Sequence, residues 1–176
     1  VKQIAVAIHS GRVEGLGEKA AKFVDALAEA CPDAVLLVGG YWGHMVDVVD
    51  AALRRGLRVV VFLPMEREDV ALPKGVIVVR TGCEFRCRSV QMVRSADAVA
   101  VLGGGVGTMI EALMAYAMGK PLFVLVGTGA YSDRLREAYP RHFDERKAVD
   151  VVYVESPEEL ARAVCAAGPG VAAKFG

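Results

Sequence analysis

Short apolar runs rich in β-branched residues recur along the chain, and longer stretches between them carry apolar residues at helical spacing. The runs are Ile4–Ile8, Ala34–Val38, Leu57–Leu63, Val76–Val79, Ala98–Leu102, Leu122–Val126 and Val151–Val154. They are continuous rather than alternating, which suits strands covered on both faces. Helices are expected over Glu18–Ala30, Met45–Arg55, Phe85–Ser95, Thr108–Met118, Asp133–Tyr139 and Pro157–Ala166. Strand then helix, repeated, predicts an α/β fold. Its core is a central parallel sheet of about seven strands with helices on both faces.

Several boundaries carry their own physics. Ser156-Pro157-Glu158-Glu159 offers an N-cap, a proline at the first helical position and an acidic first turn. Gly56 and Gly119 fall just past helix ends, where a left-handed cap is needed. Pro64–Lys74 reads as a charged loop between two strands, and residues 168–176 as a flexible tail. With 176 residues, no internal repeat and no linker, the chain reads as one domain over residues 1–167.

Composition narrows the classes. A chain that is 54% hydrophobic and 24% charged is too apolar for intrinsic disorder. Its 21 basic and 21 acidic residues cancel, so no electrostatic footprint points to nucleic acid. No apolar stretch reaches the ~18 residues of a membrane helix. Ile4–Ile8 is too short for a signal peptide, so a cytoplasmic setting without a membrane partner is expected. Cys31, Cys83, Cys87 and Cys165 make no disulfide framework at this length. Cys83 and Cys87 would share a helix face, but no further Cys or His sits at metal-ligand spacing, so small buried hydrophobes are expected.

In open parallel sheets ligands bind outside the carboxyl ends of the strands. The segments there are His9-Ser10-Gly11-Arg12, Gly39-Gly40-Tyr41-Trp42-Gly43, Thr81-Gly82, Gly103–Thr108 and Gly127-Thr128-Gly129. Glycine lets backbone N–H groups approach a ligand closely. The strongest of these is Leu102-Gly103-Gly104-Gly105-Val106-Gly107-Thr108-Met109-Ile110-Glu111, a strand-to-helix turn whose dipole favours a phosphate. It lacks the lysine of a Walker loop and fits the dinucleotide fingerprint badly. Thr108-x-x-Glu111 can be a capping box, or Glu111 can be an ionised carboxylate beside a phosphate. Arg88 can pair with Glu84 on a helix surface or face a ligand. His44 fits a cap or satisfied histidine better than a catalyst. Tyr41 and Trp42 offer stacking faces, and Tyr131, Ser132 and Asp133 fit a helix start or a pocket edge.

These segments resemble the LOG-type family, once labelled lysine-decarboxylase-like. Gly104-Gly105-Val106-Gly107-Thr108-Met109-Ile110-Glu111 is similar to its G-G-x-G-T-x-x-E signature. Arg88–Ala98 resembles the segment holding its essential arginine, and Gly39-Gly40-Tyr41-Trp42-Gly43-His44-Met45 its G-G-x-x-G-x-M turn. The resemblance covers roughly residues 3–155. It implies a Rossmann-like three-layer sandwich, a homodimer, and hydrolysis of nucleoside 5′-monophosphates to free base and ribose 5-phosphate, with no cofactor. Arg88 and Glu111 would be the catalytic pair. Ser10, Gly11, Gly39, Gly40, Gly104, Gly105, Val106, Gly107 and Thr108 would line the phosphate and nucleotide site. Gly103, Ser89 and Gln91 stand where such hydrolases carry Pro, Lys and Glu. These departures bring the chain closer to a branch containing molybdenum-cofactor carrier proteins. The alternative is therefore a non-catalytic binder of a nucleotide or pterin phosphate. No lysine stands in the phosphate loop to hold pyridoxal phosphate, which argues against decarboxylation.

Overall fold

The computed structural model describes residues 1–172. The strands are β1 (Gln3–Ile8), β2 (Val35–Val38), β3 (Arg58–Leu63), β4 (Ile77–Arg80), β5 (Ala98–Gly103), β6 (Leu122–Leu125) and β7 (Val151–Val154). The helices are α1 (Leu16–Ala30), α2 (Met45–Arg54), α3 (Phe85–Ser95), α4 (Val106–Ala117), α5 (Leu135–Ala138) and α6 (Pro157–Ala166). One sheet runs β4-β3-β2-β1-β5-β6-β7 with every neighbouring pair parallel. This is the Rossmann-like sandwich expected. The chain winds outward from β1 to β4, then returns to the centre as β5. The order therefore reverses between β1 and β5, where a crevice opens at the strands' carboxyl ends.

Alternation along the central strands feeds two cores. Ile4, Val6 and Ile8 point to the layer of α1, α2 and α6, with Phe23, Leu27, Val48 and Leu160. Ala5 and Ala7 point to the layer of α3 and α4, with Met92, Val93, Ala112 and Tyr116. Small residues on that second face let α3 and α4 sit close to β1, and those two helices carry Arg88 and Glu111.

The caps behave as their chemistry requires. Ser156 accepts from the Glu159 N–H at 3.1 Å, and Gly56 and Gly119 take φ of 71° and 68°. Four local expectations are corrected. α4 begins at Val106 with Gly105 as its N-cap and no side-chain cap, so Thr108-x-x-Glu111 is not a capping box. Both residues lie inside the helix and are buried. The helix expected over Asp133–Tyr139 is a 3₁₀ turn, Tyr131–Arg134, followed by the single turn α5. Its cue was the Asp133 carboxylate, which instead accepts from the Thr128 and Gly129 N–H groups in the loop. β4 is an edge strand, and Ile77 is 55% exposed rather than covered.

The cysteines are the fourth correction. Cys31 pairs with Cys165, with Cα atoms 6.1 Å apart, and Cys83 pairs with Cys87 at 5.7 Å. The first pair arises because α1 and α6 pack side by side and end together. The second brackets the start of α3, and both of its residues are half-buried. Residues 168–172 run beside the turn after α4, where the Val171 N–H donates to the Gly119 carbonyl at 2.9 Å. Residues 173–176 of the expected tail lie outside the described residues.

Candidate functional site

A cavity of about 350 Å³ opens at the carboxyl ends of β1, β2 and β5. β1 supplies Val6 and Ile8, and the turn after it His9 and Ser10. The turn after β2 supplies Gly39 and Trp42, α3 supplies Phe85, Arg86 and Arg88, and the start of α4 supplies Gly105, Val106, Gly107, Thr108 and Glu111. Four glycine-rich or polar segments far apart in sequence thus converge at the switch point.

Arg88 and Glu111 dominate this cavity electrostatically. Arg88 is 6% exposed and Glu111 8%, and histidine apart they are the only buried charged side chains among the described residues. The surface pair of Glu84 with Arg88 is not formed. Glu84 is instead the N-cap of α3, accepting from the Cys87 N–H at 2.7 Å. Arg88 lies across the backbone of Gly39, where an added Cβ would come within 2.7 Å of its Nη1. Any side chain at position 39 would displace the guanidinium. Arg88 Nε and Nη1 are buried and have no hydrogen-bond partner. Orphaned buried donors are costly, by about 1–3 kcal/mol each, and rare enough to call for a partner.

Glu111 sits in the second turn of α4, beyond the strongest reach of the helix terminus. Burial pushes its carboxyl above the ordinary carboxylate range. The Arg88 charge and the Ser89 hydroxyl oppose that shift without cancelling it. That shift works against the ionised form expected of a carboxylate beside a phosphate. Burial likewise lowers Arg88, with Glu111 acting against it, yet a guanidinium remains protonated. Ser89 Oγ lies 2.8 Å from Glu111 Oε1 and 3.2 Å from the Phe85 carbonyl. Ser89 was noticed in the sequence only as a departure; it is the hydrogen-bond partner of the buried carboxyl.

The other candidates divide. Ser10, Gly39, Gly105, Val106, Gly107 and Thr108 line the cavity. By helix geometry the first N–H groups of α4 lack intrahelical partners and face this side. Gly104 stands behind the loop: its N–H donates to Ser132 Oγ at 3.0 Å and its carbonyl accepts from the Ser132 N–H at 2.9 Å. Gly11 and Gly40 do not line the cavity either. The Gly11 N–H is held by His9 Nδ1, and Gly40 gives room to the Trp42 ring.

His44 is structural. Its Nε2 accepts from the Val13 N–H at 2.8 Å, so the proton is on Nδ1, which donates to Asp47 at 2.8 Å. Trp42 has Arg67 over its ring at 4.3 Å and Phe85 edge-on at 6.4 Å. Arg67 therefore already occupies a face that a base could have stacked on. Tyr41 is turned away, donating to Asp50 at 2.8 Å. Sequence reasoning missed Phe85 and Arg86 as cavity residues; the only signal was their place at the start of the helix that carries Arg88. Among the described residues no group of three or more His, Cys, Asp or Glu is close enough to hold a metal ion. None of the helices described is long and apolar enough to cross a membrane.

The comparisons with known proteins agree with this architecture. The protein TM1055 is 30% identical, with a TM-score of 0.76 over 90% of this chain and 95% of that one. The molybdenum cofactor binding protein of Rippkaea orientalis is 23% identical, with a TM-score of 0.69 over 89% of each chain. The molybdenum cofactor carrier protein of Chlamydomonas reinhardtii is 20% identical, with a TM-score of 0.67 over 94% of each chain. No curated protein matches by sequence. The SLOG cluster4 family model matches residues 4–161, which include β1 from Ile4 onward, the other six strands, the glycine turns, Arg88 and Glu111. The LOG-like resemblance carried by the motifs agrees with this match, and the chain belongs to the SLOG cluster4 family.

Proposed function

We propose that the protein cleaves the N-glycosidic bond of a nucleoside 5′-monophosphate, giving free base and ribose 5-phosphate. The observation that carries this reading is the buried Arg88–Glu111 pair, one with orphaned donors and one a desolvated carboxyl, beside uncommitted helix N–H groups. The cavity is at the small end of ligand pockets, typically ~300–1,000 Å³, and suits a mononucleotide better than a dinucleotide. The α4 N-terminus takes the phosphate, and Arg88 donates from Nε and Nη1 to phosphate or ribose oxygens. As the C1′–N bond breaks, its electron pair leaves with the base, which takes up a proton. Positive charge then develops at C1′. Ionised Glu111, in a low-dielectric wall, stabilises that charge more than water would, and accepts the proton of the water that adds to C1′.

A second reading is carriage of an intact nucleotide or pterin phosphate, and two observations favour it. The cofactor-binding proteins named above share the fold. The Ser89 geometry also accommodates a protonated Glu111, which would donate to Ser89 Oγ while the hydroxyl donates on to the Phe85 carbonyl. A neutral Glu111 can bind a ligand but cannot stabilise a cation.

We further propose that two copies associate through α4. The exposed side chains of this helix, Val106 and Leu113, are apolar, Ile110 and Met114 are half-buried beside them, and Val106 reaches the cavity edge. Sedimentation of Leu113→Glu as a monomer, against a wild-type dimer, tests that association.

The test of function is incubation with AMP and a panel of nucleoside monophosphates, reading free base by chromatography. Base release that Glu111→Gln abolishes supports hydrolysis. Binding without release moves the assignment to carriage.

A further inference from the structure

The imidazole of His9, which lines the cavity, has no part in the chemistry above. His9 follows β1 directly and is half-buried in the cavity wall. Its backbone is tied at both ends: its N–H donates to the Gly103 carbonyl at 2.9 Å, and its carbonyl accepts from the His44 N–H at 3.1 Å. The β1–β5 register slips between Ala7 and Ile8, so that Ile8 pairs with Gly103 and Leu102 is passed over. Such irregularities re-aim side chains beside functional sites. Here His9 stands one residue beyond the slip, and its ring lies against the phosphate loop. A Cβ built on Gly105 would stand 3.7 Å from His9 Cε1, and one on Gly11 3.5 Å from His9 Nε2.

The ring's hydrogen bonds set its tautomer. Nδ1 accepts from the Gly11 N–H at 3.3 Å, which leaves the proton of the neutral ring on Nε2. Among the described residues nothing accepts from Nε2. A half-buried donor, fixed by its backbone and lying beside the N-cap of α4, is therefore held ready for an acceptor that the protein itself does not supply.

We infer that His9 Nε2–H is a ligand contact that reads the phosphate, so that the site selects a phosphomonoester over the unphosphorylated nucleoside. This rests on the reading of the ligand as a nucleoside monophosphate and names the residue that enforces it. Calorimetric titration of AMP, adenosine and inorganic phosphate into wild type, His9→Gln, His9→Phe and His9→Asn tests it. The glutamine amide can replace the Nε2 donor; phenylalanine keeps a ring without one, and asparagine is too short.

His9→Phe and His9→Asn should lose tenfold or more in AMP and phosphate affinity, His9→Gln less than threefold, and adenosine binding should not change. Should His9→Phe fail to fold, His9→Asn carries the same test. Equal AMP affinity in all four proteins overturns the inference, as does an equal loss for AMP and adenosine, which would mark His9 as a packing residue. If wild type binds phosphate but not AMP, the nucleotide reading fails and the phosphate titrations still decide His9. If wild type binds neither, both fail.

Discussion

The two ends of the sheet treat charged side chains in opposite ways. At the amino end Lys2 donates to the carbonyls of Val164, Cys165 and Ala167, at 3.4, 2.7 and 2.6 Å, closing the carboxyl end of α6. Lys120 does the same for α3 through the carbonyls of Arg94 and Ala96, at 3.0 and 2.6 Å. Cations at helix carboxyl ends satisfy orphan carbonyls and oppose the dipole. At the carboxyl end Arg88 has two donors without acceptors, and Glu111 has one hydroxyl partner and no ion pair within 4 Å. Both ends are well packed, so poor folding does not explain the difference. Charge that holds the fold is matched within the chain, whereas charge at the cavity is left for something that arrives.

The contrast can be broken most sharply at Glu111. Glu111→Gln should reduce base release by about a thousandfold, within the range for loss of a general base. It should also raise the melting temperature at neutral pH. The folded-state pKa of Glu111 lies above its unfolded value, so its stabilising contribution is present at low pH and lost as pH rises through the folded pKa. Glutamine carries no charge to bury and is free of that loss as pH rises. A melting temperature that falls instead would give Glu111 a structural role.

Next in size are the disulfides, one at each end. Cys31→Ser opens a loop spanning 134 residues, worth about 5 kcal/mol by chain-entropy estimates, against about 2 kcal/mol for the four-residue span of Cys83–Cys87. Chemical denaturation under oxidising conditions measures both, and no loss of stability in Cys31→Ser would show that the long-range pair is not formed. Lys2→Met should cost about 1–3 kcal/mol by leaving carbonyls unpaired, with ligand affinity unchanged. A loss of affinity there would erase the division between the two ends. The smallest change is expected from Ser89→Ala, about tenfold in turnover. It should also displace the acidic limb of the rate profile further upward, because one of the groups lowering the Glu111 pKa is gone. A profile whose acid limb sits at an ordinary carboxylate pKa in wild type would contradict the burial argument.

These contrasts also explain what the sequence could and could not disclose. Continuous apolar runs located the central strands because β1, β2 and β5 are covered on both faces, and β4 strayed from the pattern because it lies at the edge. Ser156 and Gly119 announced helix ends because capping chemistry is local. Arg88 and Glu111 were legible as a pair only through motif order, since burial is not written in residue type. Ser89 and Phe85 could not be read as site residues, and His9 was legible only as part of the segment after the first strand. Their roles depend on a register slip in the sheet and on how α3 lies against α4. The Cys31–Cys165 pair was hidden for the same reason, because the approach of α1 to α6 is a property of the layer.

The central claim is that Arg88 is kept for a ligand and not for the fold. Its most direct test is calorimetric melting of wild type and Arg88→Met, each with and without saturating AMP. Ligand binding to the folded state raises the melting temperature with ligand concentration. The account predicts that Arg88→Met melts at or above the wild-type temperature without AMP and shows no AMP-dependent rise. A variant that melts several degrees lower, yet keeps the full AMP-dependent rise, would contradict it.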